Sequence, residues 1–184
     1  MEIAILQHVD FEGPAEIENW CRQTGNEYKV YRLFLGEALP KAERTDFLVI
    51  LGGPMSVLDE LPWLEEERQL IRVLISQGKP VFGVCLGGQQ IAKTLGADIF
   101  QGEYREAGWL PIWTMKSETL GELPEELVVF HWHGEQFGLP EGAERLFTSE
   151  VCPNQGFIYK ENVIGLQFHF ESTKESIESI LQND

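Results

Sequence analysis

The sequence Gly78–Gly96, GKPVFGVCLGGQQIAKTLG, is the stretch around which we expect the fold to be organised. A short apolar run, Val81–Val84, follows the break at Pro80, and Cys85 comes directly after that run. Beyond Cys85 a helical pattern begins, and Gly96 ends it. This order predicts a strand, a tight turn and a helix, with the cysteine at the apex of the turn.

The residues around Cys85 form the pattern G-x-C-x-G, from Gly83 to Gly87, which is the thiol version of a nucleophile elbow. Glycines on either side let the backbone take a strained turn and let a substrate approach closely. A sulfur at a helix N-terminus is favoured as thiolate by the helix dipole. A buried structural cysteine beside a glycine-rich turn is the alternative, and this stretch alone leaves it open.

Strand-like and helical patterns alternate through the first half of the chain. We expect strands at Glu2–Gln7, Glu27–Leu33, Asp46–Leu51 and Val81–Val84, and helices from Pro14 to Gly25 and from Pro62 to Gly78. The third of these strands is continuously apolar, as a strand buried on both faces should be. The fold class predicted is therefore α/β, a mostly parallel sheet with helices on both faces, and Cys85 falls at the carboxyl end of a strand, where such sheets bind ligands.

The second half of the chain has a different pattern of predicted elements. Between residues 97 and 165 the runs WLPIWTM, LVVFHW, RLFTS and GFIYK alternate with Gly/Pro turns, which predicts a small antiparallel patch attached to the main sheet. Val163–Phe168 is expected to be a further strand of that sheet. The last helix is expected to open with a capping box from Ser172 to Glu175 and to bury Ile177, Ile180 and Leu181.

Composition limits the classes of function. The 184 residues suit a single domain, 1–184, and 30 acidic against 14 basic residues give a net charge of −16, which argues against nucleic acid or an anionic membrane as partner. No run approaches the ~20 apolar residues of a membrane span. Three cysteines without a C-x-x-C pair indicate reduced thiols and a cytoplasmic protein. We interpret His8, His131 and His133 as satisfied local polar groups rather than ligands, so neither a metal site nor a cofactor is expected.

Two residues near the carboxyl end suit a partnership with Cys85. His169 and Glu171 follow the end of the predicted strand, and residues two apart in an extended chain share a face. A carboxylate can hold the ring in one tautomer, which a base serving a cysteine nucleophile needs. A surface histidine beside a glutamate is the simpler alternative, but a histidine at one strand end and a cysteine at another favour a catalytic role.

The turn Gly52-Gly53-Pro54 could aim N–H groups at an anion, although an ordinary loop explains it as well.

In this order, the pieces LGGPMS, GKPVFGVCLGGQQIA, FHWHGEQF, SEVCPNQGF and GLQFHFE resemble a class I (triad-type) glutamine amidotransferase, especially the small stand-alone proteins that are similar to the amidotransferase part of GMP synthase. The resemblance covers nearly the whole chain and implies a flavodoxin-like fold. It implies that Cys85 is the nucleophile, His169 the base and Glu171 the residue that orients the base. The implied reaction is hydrolysis of the glutamine side-chain amide through a γ-glutamyl thioester, which releases glutamate and ammonia.

The same resemblance implies the surrounding contacts. Gly53 and Leu86 would offer backbone N–H groups to the oxyanion, and Gln89 would contact the substrate glutamine. The main chain from Trp132 to Gly134 would hold the amino-acid end of the substrate.

Three residues depart from the family pattern. Phe170 stands where the family usually has proline between the histidine and the glutamate, so the link is less stiff. Glu135 replaces an aspartate. Gly88 replaces an alanine or a bulkier residue in the predicted elbow helix, at a cost of about 1 kcal/mol in helix propensity.

Two alternatives remain at this point: a hydrolase of another γ-glutamyl compound, and a catalytically impaired binding or regulatory protein of the same fold. The sequence holds no G-x-x-x-x-G-K-[ST] phosphate-binding loop. Ammonia made at Cys85 would therefore be used by a separate synthetase subunit, or the protein would act as a free-standing amidase.

Overall fold

One mixed β-sheet of nine strands runs through residues 1–183, the part of the chain that the structure, a computed structural model, describes. The strands are β1 (Glu2–Gln7), β2 (Glu27–Arg32), β3 (Phe47–Ile50), β4 (Val81–Val84), β5 (Ile99–Thr114), β6 (Glu126–Phe137), β7 (Ala143–Thr148), β8 (Gly156–Tyr159) and β9 (Val163–Leu166). The α-helices are α1 (Glu16–Gln23), α2 (Pro62–Ser76), α3 (Leu86–Thr94) and α4 (Lys174–Asn183). Across the sheet the strands follow the order β2-β1-β3-β4-β9-β8-β7-β5-β6.

The first five strands in that order are parallel, and all of them except the edge strand β2 are largely buried. Alternate residues of β3 point to opposite sides: Leu48 and Ile50 pack in the core that contains the apolar residues of α2 and α3, whereas Val49 packs in the core that contains Cys21 of α1. The continuous apolar run of β3 thus serves two cores at once. The α/β prediction with helices on both faces is confirmed.

The other four strands extend the same sheet in antiparallel fashion. β8 pairs with β9, β7 with β8, β5 with β7, and β6 with β5. The antiparallel patch is confirmed, but it is larger than the sequence suggests, because β5 begins at Ile99 and is 16 residues long. Its first half is mostly exposed and polar, and its register against β6 shifts between Gln101 and Glu106. A strand made of exposed polar residues lacks the alternation of apolar and polar residues by which a strand is recognised in a sequence.

The last helix differs from the sequence expectation in two respects. The hydroxyl of Thr173 accepts a hydrogen bond from the Ser176 N–H at 3.2 Å, and the Ser176 hydroxyl accepts one from the Thr173 N–H at 2.8 Å. The reciprocal cap therefore joins Thr173 to Ser176 rather than Ser172 to Glu175. Ile180 is buried as expected, but Leu181 is 52% exposed.

The longest helix, α2, has 15 residues, which is short of the ~20 that cross a bilayer. Within residues 1–183, no helix has the length and apolar character of a membrane span.

Candidate active site

Cys85 occupies a strained turn between β4 and α3. Its backbone angles are φ 50° and ψ −112°, a combination that L-residues rarely adopt. The Cys85 N–H donates to the Leu166 carbonyl at 2.8 Å, which ties the turn to β9. The predicted strand, turn and helix are therefore present, and the surrounding structure holds the turn in its strained conformation.

The glycines near Cys85 allow backbones to approach one another. A Cβ at Gly83 would lie 2.4 Å from the carbonyl group of Gly87, and a Cβ at Gly87 would lie 2.2 Å from the Ile50 carbonyl oxygen. Gly88 has the same role, because a Cβ there would lie 2.4 Å from the Leu166 carbonyl oxygen. Gly88 thus lowers helix propensity, but it is also the residue that lets α3 lie directly against β9.

His169 and Glu171 lie in the segment that follows β9. β9 ends at Leu166, two residues before the predicted end at Phe168, so neither His169 nor Glu171 is part of a regular strand. The His169 N–H nevertheless donates to the Phe130 carbonyl of β6 at 2.8 Å, which fixes the backbone. Nδ1 of His169 lies 2.9 Å from Oε1 of Glu171, and both side chains are buried. Since a carboxylate can only accept, Nδ1 carries the proton and Nε2 is left for another partner.

The second partner of His169 is Cys85. Burial lowers the pKa of the His169 ring, but the charge of Glu171, a hydrogen bond with Cys85 and the hydrogen bond with Glu171 outweigh it. The net effect raises the pKa well above the usual value for histidine. The structure therefore brings the three sequence-predicted residues into one chain of contacts: Cys85, His169 and Glu171.

Phe170 does not disturb this arrangement. Its side chain is 66% exposed and lines a separate apolar groove beside Trp20, Phe47 and Phe82. The absence of proline between His169 and Glu171 leaves the 2.9 Å contact intact.

Cys85 opens into a cavity of about 400 Å³ at the carboxyl ends of the parallel strands. The lining comes from the loops after β1 and β3, from the elbow and α3, from β5 and β6, and from the segment after β9. It consists of Glu12, Gly53, Pro54, Met55, Ser56, Cys85, Gln89, Gln101, Arg105, Trp132, His133, Gly134, Glu135 and His169. Of the sequence-predicted site residues that remain, Gly53, Gln89, Trp132 and Gly134 line the cavity, whereas Leu86 is buried and is not among the lining residues.

The two predicted oxyanion donors, Gly53 and Leu86, are neighbours in the structure. Leu86 is the first residue of α3, where backbone N–H groups have no acceptor within the helix. Gly53 belongs to the turn after β3, and a Cβ at this position would lie 2.7 Å from the sulfur of Met55 and 3.1 Å from Leu86 Cδ2. The Gly53 backbone and the start of α3 are therefore close neighbours at the cavity wall.

The turn that contains Gly53 is supported by a buried pair that the sequence did not indicate. His8 donates from Nδ1 to the Gly52 carbonyl at 3.0 Å, and its Nε2 lies 2.9 Å from Glu67 Oε2. Burial lowers the pKa of His8, but the charge of Glu67 and the hydrogen bond with it raise the pKa above the usual value. His8 is a satisfied polar group, as the sequence suggested, but its partners are distant in sequence, because it links β1, the Gly52 turn and α2.

Gln89 and Gln167 form a polar support on the other side of Cys85. The Gln89 amide donates to the Glu135 carbonyl and to Gln167 Oε1, each at 3.3 Å. Nε2 of Gln167 lies 4.0 Å from the Cys85 sulfur, and the Trp132 carbonyl oxygen lies 3.9 Å from it. Gln167 is fully buried and was missed from the sequence, although it is part of the quoted piece GLQFHFE.

Glu12 and Arg105 also line the cavity and were not among the predicted residues. A Cβ at Gly52 would lie 2.2 Å from Oε2 of Glu12 and 2.9 Å from the His169 ring, so Gly52 lets the carboxylate approach the base. The Arg105 guanidinium lies 4.7 Å from the ring centre of Trp132. Glu12 could have been suspected, because it follows β1 at the same sheet edge as Cys85.

The other two cysteines lie away from this cavity. Burial raises the pKa of the Cys152 thiol to about 12 and also raises that of Cys21. Thiols held in this way are poor nucleophiles.

Comparison with known proteins places this geometry in a family. A family model described as "Glutamine amidotransferase class-I" matches residues 13–184. A glutamine amidotransferase-like protein of Salmonella typhimurium, YfeJ, is 33% identical over all of this chain and 81% of its own length. GMP synthase (glutamine-hydrolyzing) of Bacillus cytotoxicus is 35% identical over 71% of this chain, but only 25% of that enzyme is covered.

Solved structures agree with the sequence comparison. A glutamine amidotransferase of Thermotoga maritima superimposes with a TM-score of 0.92 at 34% identity, covering 99% of this chain and 81% of its own. A glutamine amidotransferase of Methylobacillus flagellatus gives a TM-score of 0.94 at 32% identity, covering 98% of this chain and 74% of its own. The chain belongs to the class-I glutamine amidotransferase family.

Proposed function

We propose that this protein hydrolyses the side-chain amide of glutamine, with Cys85 as nucleophile, His169 as general base and acid, and Glu171 as the residue that orients His169. The observation that carries the proposal is a buried chain of contacts. Oε1 of Glu171 lies 2.9 Å from Nδ1 of His169, and the His169 ring is hydrogen-bonded to Cys85 at the strained elbow. Membership of the amidotransferase family supports the choice of substrate.

The first half-reaction forms a thioester. Nε2 of His169 takes the proton of the Cys85 thiol, and the sulfur attacks the amide carbon of the glutamine side chain. Negative charge then collects on the former carbonyl oxygen, which the N–H groups of Gly53 and Leu86 would stabilise by about 3 kcal/mol each. When the intermediate collapses, the C–N bond breaks and His169 returns the proton to the leaving nitrogen, which departs as ammonia.

The second half-reaction regenerates the enzyme. His169 removes a proton from water, and the resulting hydroxide attacks the γ-glutamyl thioester. The C–S bond breaks, glutamate leaves, and the proton returns to the sulfur. Glu171 transfers no proton in either half, because its role is to keep the ring oriented and to stabilise its charged form.

The substrate would be held along the cavity floor. Gln89 and residues 132–134 line the cavity: the Gln89 side chain would contact the substrate glutamine, and the main chain from Trp132 to Gly134 would hold its amino-acid end. A cavity of about 400 Å³ is ample for one amino acid, and Glu12 and Arg105 at its wall offer one charge of each sign.

The decisive experiment is ammonia release from glutamine by the purified chain, with and without Cys85→Ala. We expect Cys85→Ala to abolish both ammonia release and the mass increase of a trapped thioester, because only this thiol stands at the elbow. Cys21→Ala and Cys152→Ala are the matched controls and should remain active. Ammonia release by Cys85→Ala at the parental rate would refute the assignment. A panel of γ-glutamyl amides and peptides in the same assay would reveal a preference for another γ-glutamyl compound.

We further propose that a separate synthetase subunit uses the ammonia. The relatives support this in one respect, because the chain matches only a quarter of the length of GMP synthase, an enzyme whose name describes both synthesis and glutamine hydrolysis. Catalytic hydrogen bonds often tighten only in the productive complex. Slow turnover by the isolated chain and faster turnover with the partner would support the proposal, whereas full-speed turnover alone would favour a free-standing amidase.

A further inference from the structure

A cluster of buried polar side chains adjoins the active-site cavity, and these side chains take no part in the proposed reaction. Its centre is Glu106 of β5, which lies directly opposite His133 of β6 in the strand register. His131, two residues earlier on β6, points to the same side of the sheet. All three side chains are at most 5% exposed. One nitrogen of each ring and one oxygen of the carboxylate lie within 4.8 Å of one another.

The protonation of His133 follows from its neighbours. Nδ1 lies 3.2 Å from the Glu135 carbonyl oxygen, which can only accept, so Nδ1 carries the proton. In the neutral ring Nε2 then presents a lone pair. That atom lies 3.2 Å from Oε2 of Glu106, also an acceptor, and has no hydrogen-bond partner. Two acceptors at this distance repel each other unless a cation lies between them.

His131 approaches the other oxygen of the same carboxylate. Its Nδ1 lies 3.5 Å from the amide nitrogen of Gln155, a donor, and 4.0 Å from Oε1 of Glu106. The carboxylate itself is held in place by the Ser149 hydroxyl and the Gln155 amide, each donating at 2.6 Å. Two imidazole nitrogens and one oriented carboxylate therefore lie together in a buried cluster.

We propose that Glu106, His131 and His133 bind a divalent transition-metal ion, with zinc the best match. Two histidines and one carboxylate form a ligand set that zinc uses, in which a fourth position completes the tetrahedron. Ligating histidines typically donate their other ring N–H to a backbone carbonyl or a carboxylate, as His133 does to Glu135. Ligands about 2.1 Å from a tetrahedral ion lie about 3.4 Å apart, close to the observed 3.2 Å between His133 and Glu106. The spacing from His131 Nδ1 to Glu106, 4.0 Å, is wider than that separation, so His131 would have to move closer to the ion.

The ion would act on the shape of the cavity. Trp132 lies between the two histidines, and its carbonyl oxygen faces the Cys85 sulfur. A metal that clamps β6 to β5, just beyond the register shift that ends at Glu106, would fix this carbonyl. His133 lines the catalytic cavity, which gives the ion an entry path.

The test titrates the metal-free chain, prepared by chelation and without a histidine tag, with cobalt(II) and zinc(II). We expect about one ion per chain, the intense visible absorption of four-coordinate cobalt, and displacement of cobalt by zinc. Glu106→Gln should weaken binding at least tenfold, because ligands matter more than the supporting residues whose loss costs 10–100-fold. Glu103→Gln, an exposed carboxylate on the same strand, is the matched control and should bind normally.

The titration is repeated in the Cys85→Ala background, because Cys85 and His169 could also capture a soft metal. Binding that disappears with Cys85→Ala, or that survives Glu106→Gln unchanged, would overturn the proposal. The competing state is a proton shared by His133 and Glu106. Nitrogen NMR of the parental chain distinguishes the two without any variant, since a proton on both nitrogens of His133 in the presence of zinc would also overturn it.

Discussion

Among single residues, Glu171 and His169 provide the sharpest separation of roles. The carboxylate touches Nδ1 of the ring, which is the nitrogen remote from the thiol, so it acts on the reaction only through His169. A base that moves protons in both half-reactions cannot be replaced by a neighbour, whereas an orienting carboxylate can be partly replaced by an amide that still accepts a hydrogen bond.

We therefore predict that His169→Ala reduces ammonia release more than Glu171→Gln does. Because the charge of Glu171 raises the pKa of His169, Glu171→Gln should also lower that pKa. Steady-state rates measure the ranking, and an NMR titration of the ring measures the pKa, with circular dichroism to check the fold. A reversed order of rates, or an unchanged pKa, would contradict the assigned roles.

Gly88 provides a test at which helix propensity and packing predict opposite results. Propensity alone says that Gly88→Ala should stabilise α3 by about 1 kcal/mol. The added Cβ would lie 2.4 Å from the Leu166 carbonyl oxygen, which is backbone and cannot move aside cheaply. We predict a net loss of about 1–3 kcal/mol in the free energy of unfolding, as for other overpacked sites.

Urea unfolding measures the effect of Gly88→Ala. Gly13→Ala is the control, since a Cβ there meets nothing nearer than 4.0 Å. Unchanged or increased stability of Gly88→Ala would mean that α3 can move away from β9.

At the scale of secondary-structure elements, the cap of α4 distinguishes the sequence pattern from the observed contacts. The pattern favoured Ser172 as the capping residue, but the hydrogen bonds join Thr173 and Ser176. Thr173→Ala should therefore cost about 1 kcal/mol of stability, whereas Ser172→Ala should cost almost nothing. Thermal unfolding of the two variants side by side decides between the caps, and equal losses would argue against the observed one.

The elements of the parallel half were predictable because each carries its own signal. β3 and β4 are short apolar runs next to glycine or proline, and α2 and α3 have apolar faces with clear ends. β5 was found only in part, because its first half is exposed and polar and is held as a strand by pairing with β6. Pairing with a strand that is distant in sequence cannot be recognised from the residues of the segment itself.

At the scale of the whole molecule, the same distinction applies to the site. Cys85, His169 and Glu171 could be proposed from the sequence because the elbow pattern and the His-x-Glu ending are local. Glu106, His131 and His133 could not be grouped, because it is the register of β5 on β6 that sets Glu106 opposite His133. The link from His8 to Glu67 spans 59 residues and likewise depends on the packing of α2 against the sheet.

The pair of His8 and Glu67 makes the stability of the whole fold depend on pH. Both side chains are fully buried, and the pKa of His8 is raised in the folded state. The folded chain therefore binds a proton at His8 more readily than the unfolded chain does. The stabilisation from this proton is complete below the unfolded value of about 6.5 and is lost as the pH rises through the higher folded-state value.

Glu67→Gln removes the charge that raises the pKa of His8, so it should remove most of this pH-dependent stabilisation. We predict a loss of about 3–5 kcal/mol near pH 6, as for other broken buried pairs, and a smaller loss near pH 9, where His8 is less protonated in either chain. Denaturant unfolding of both chains at the two pH values measures the difference. Glu66→Gln, an exposed carboxylate one residue away on α2, is the control and should show little effect at either pH. A loss that grows with rising pH would mean that His8 is neutral in the folded protein and that Glu67 acts only as an acceptor for its N–H.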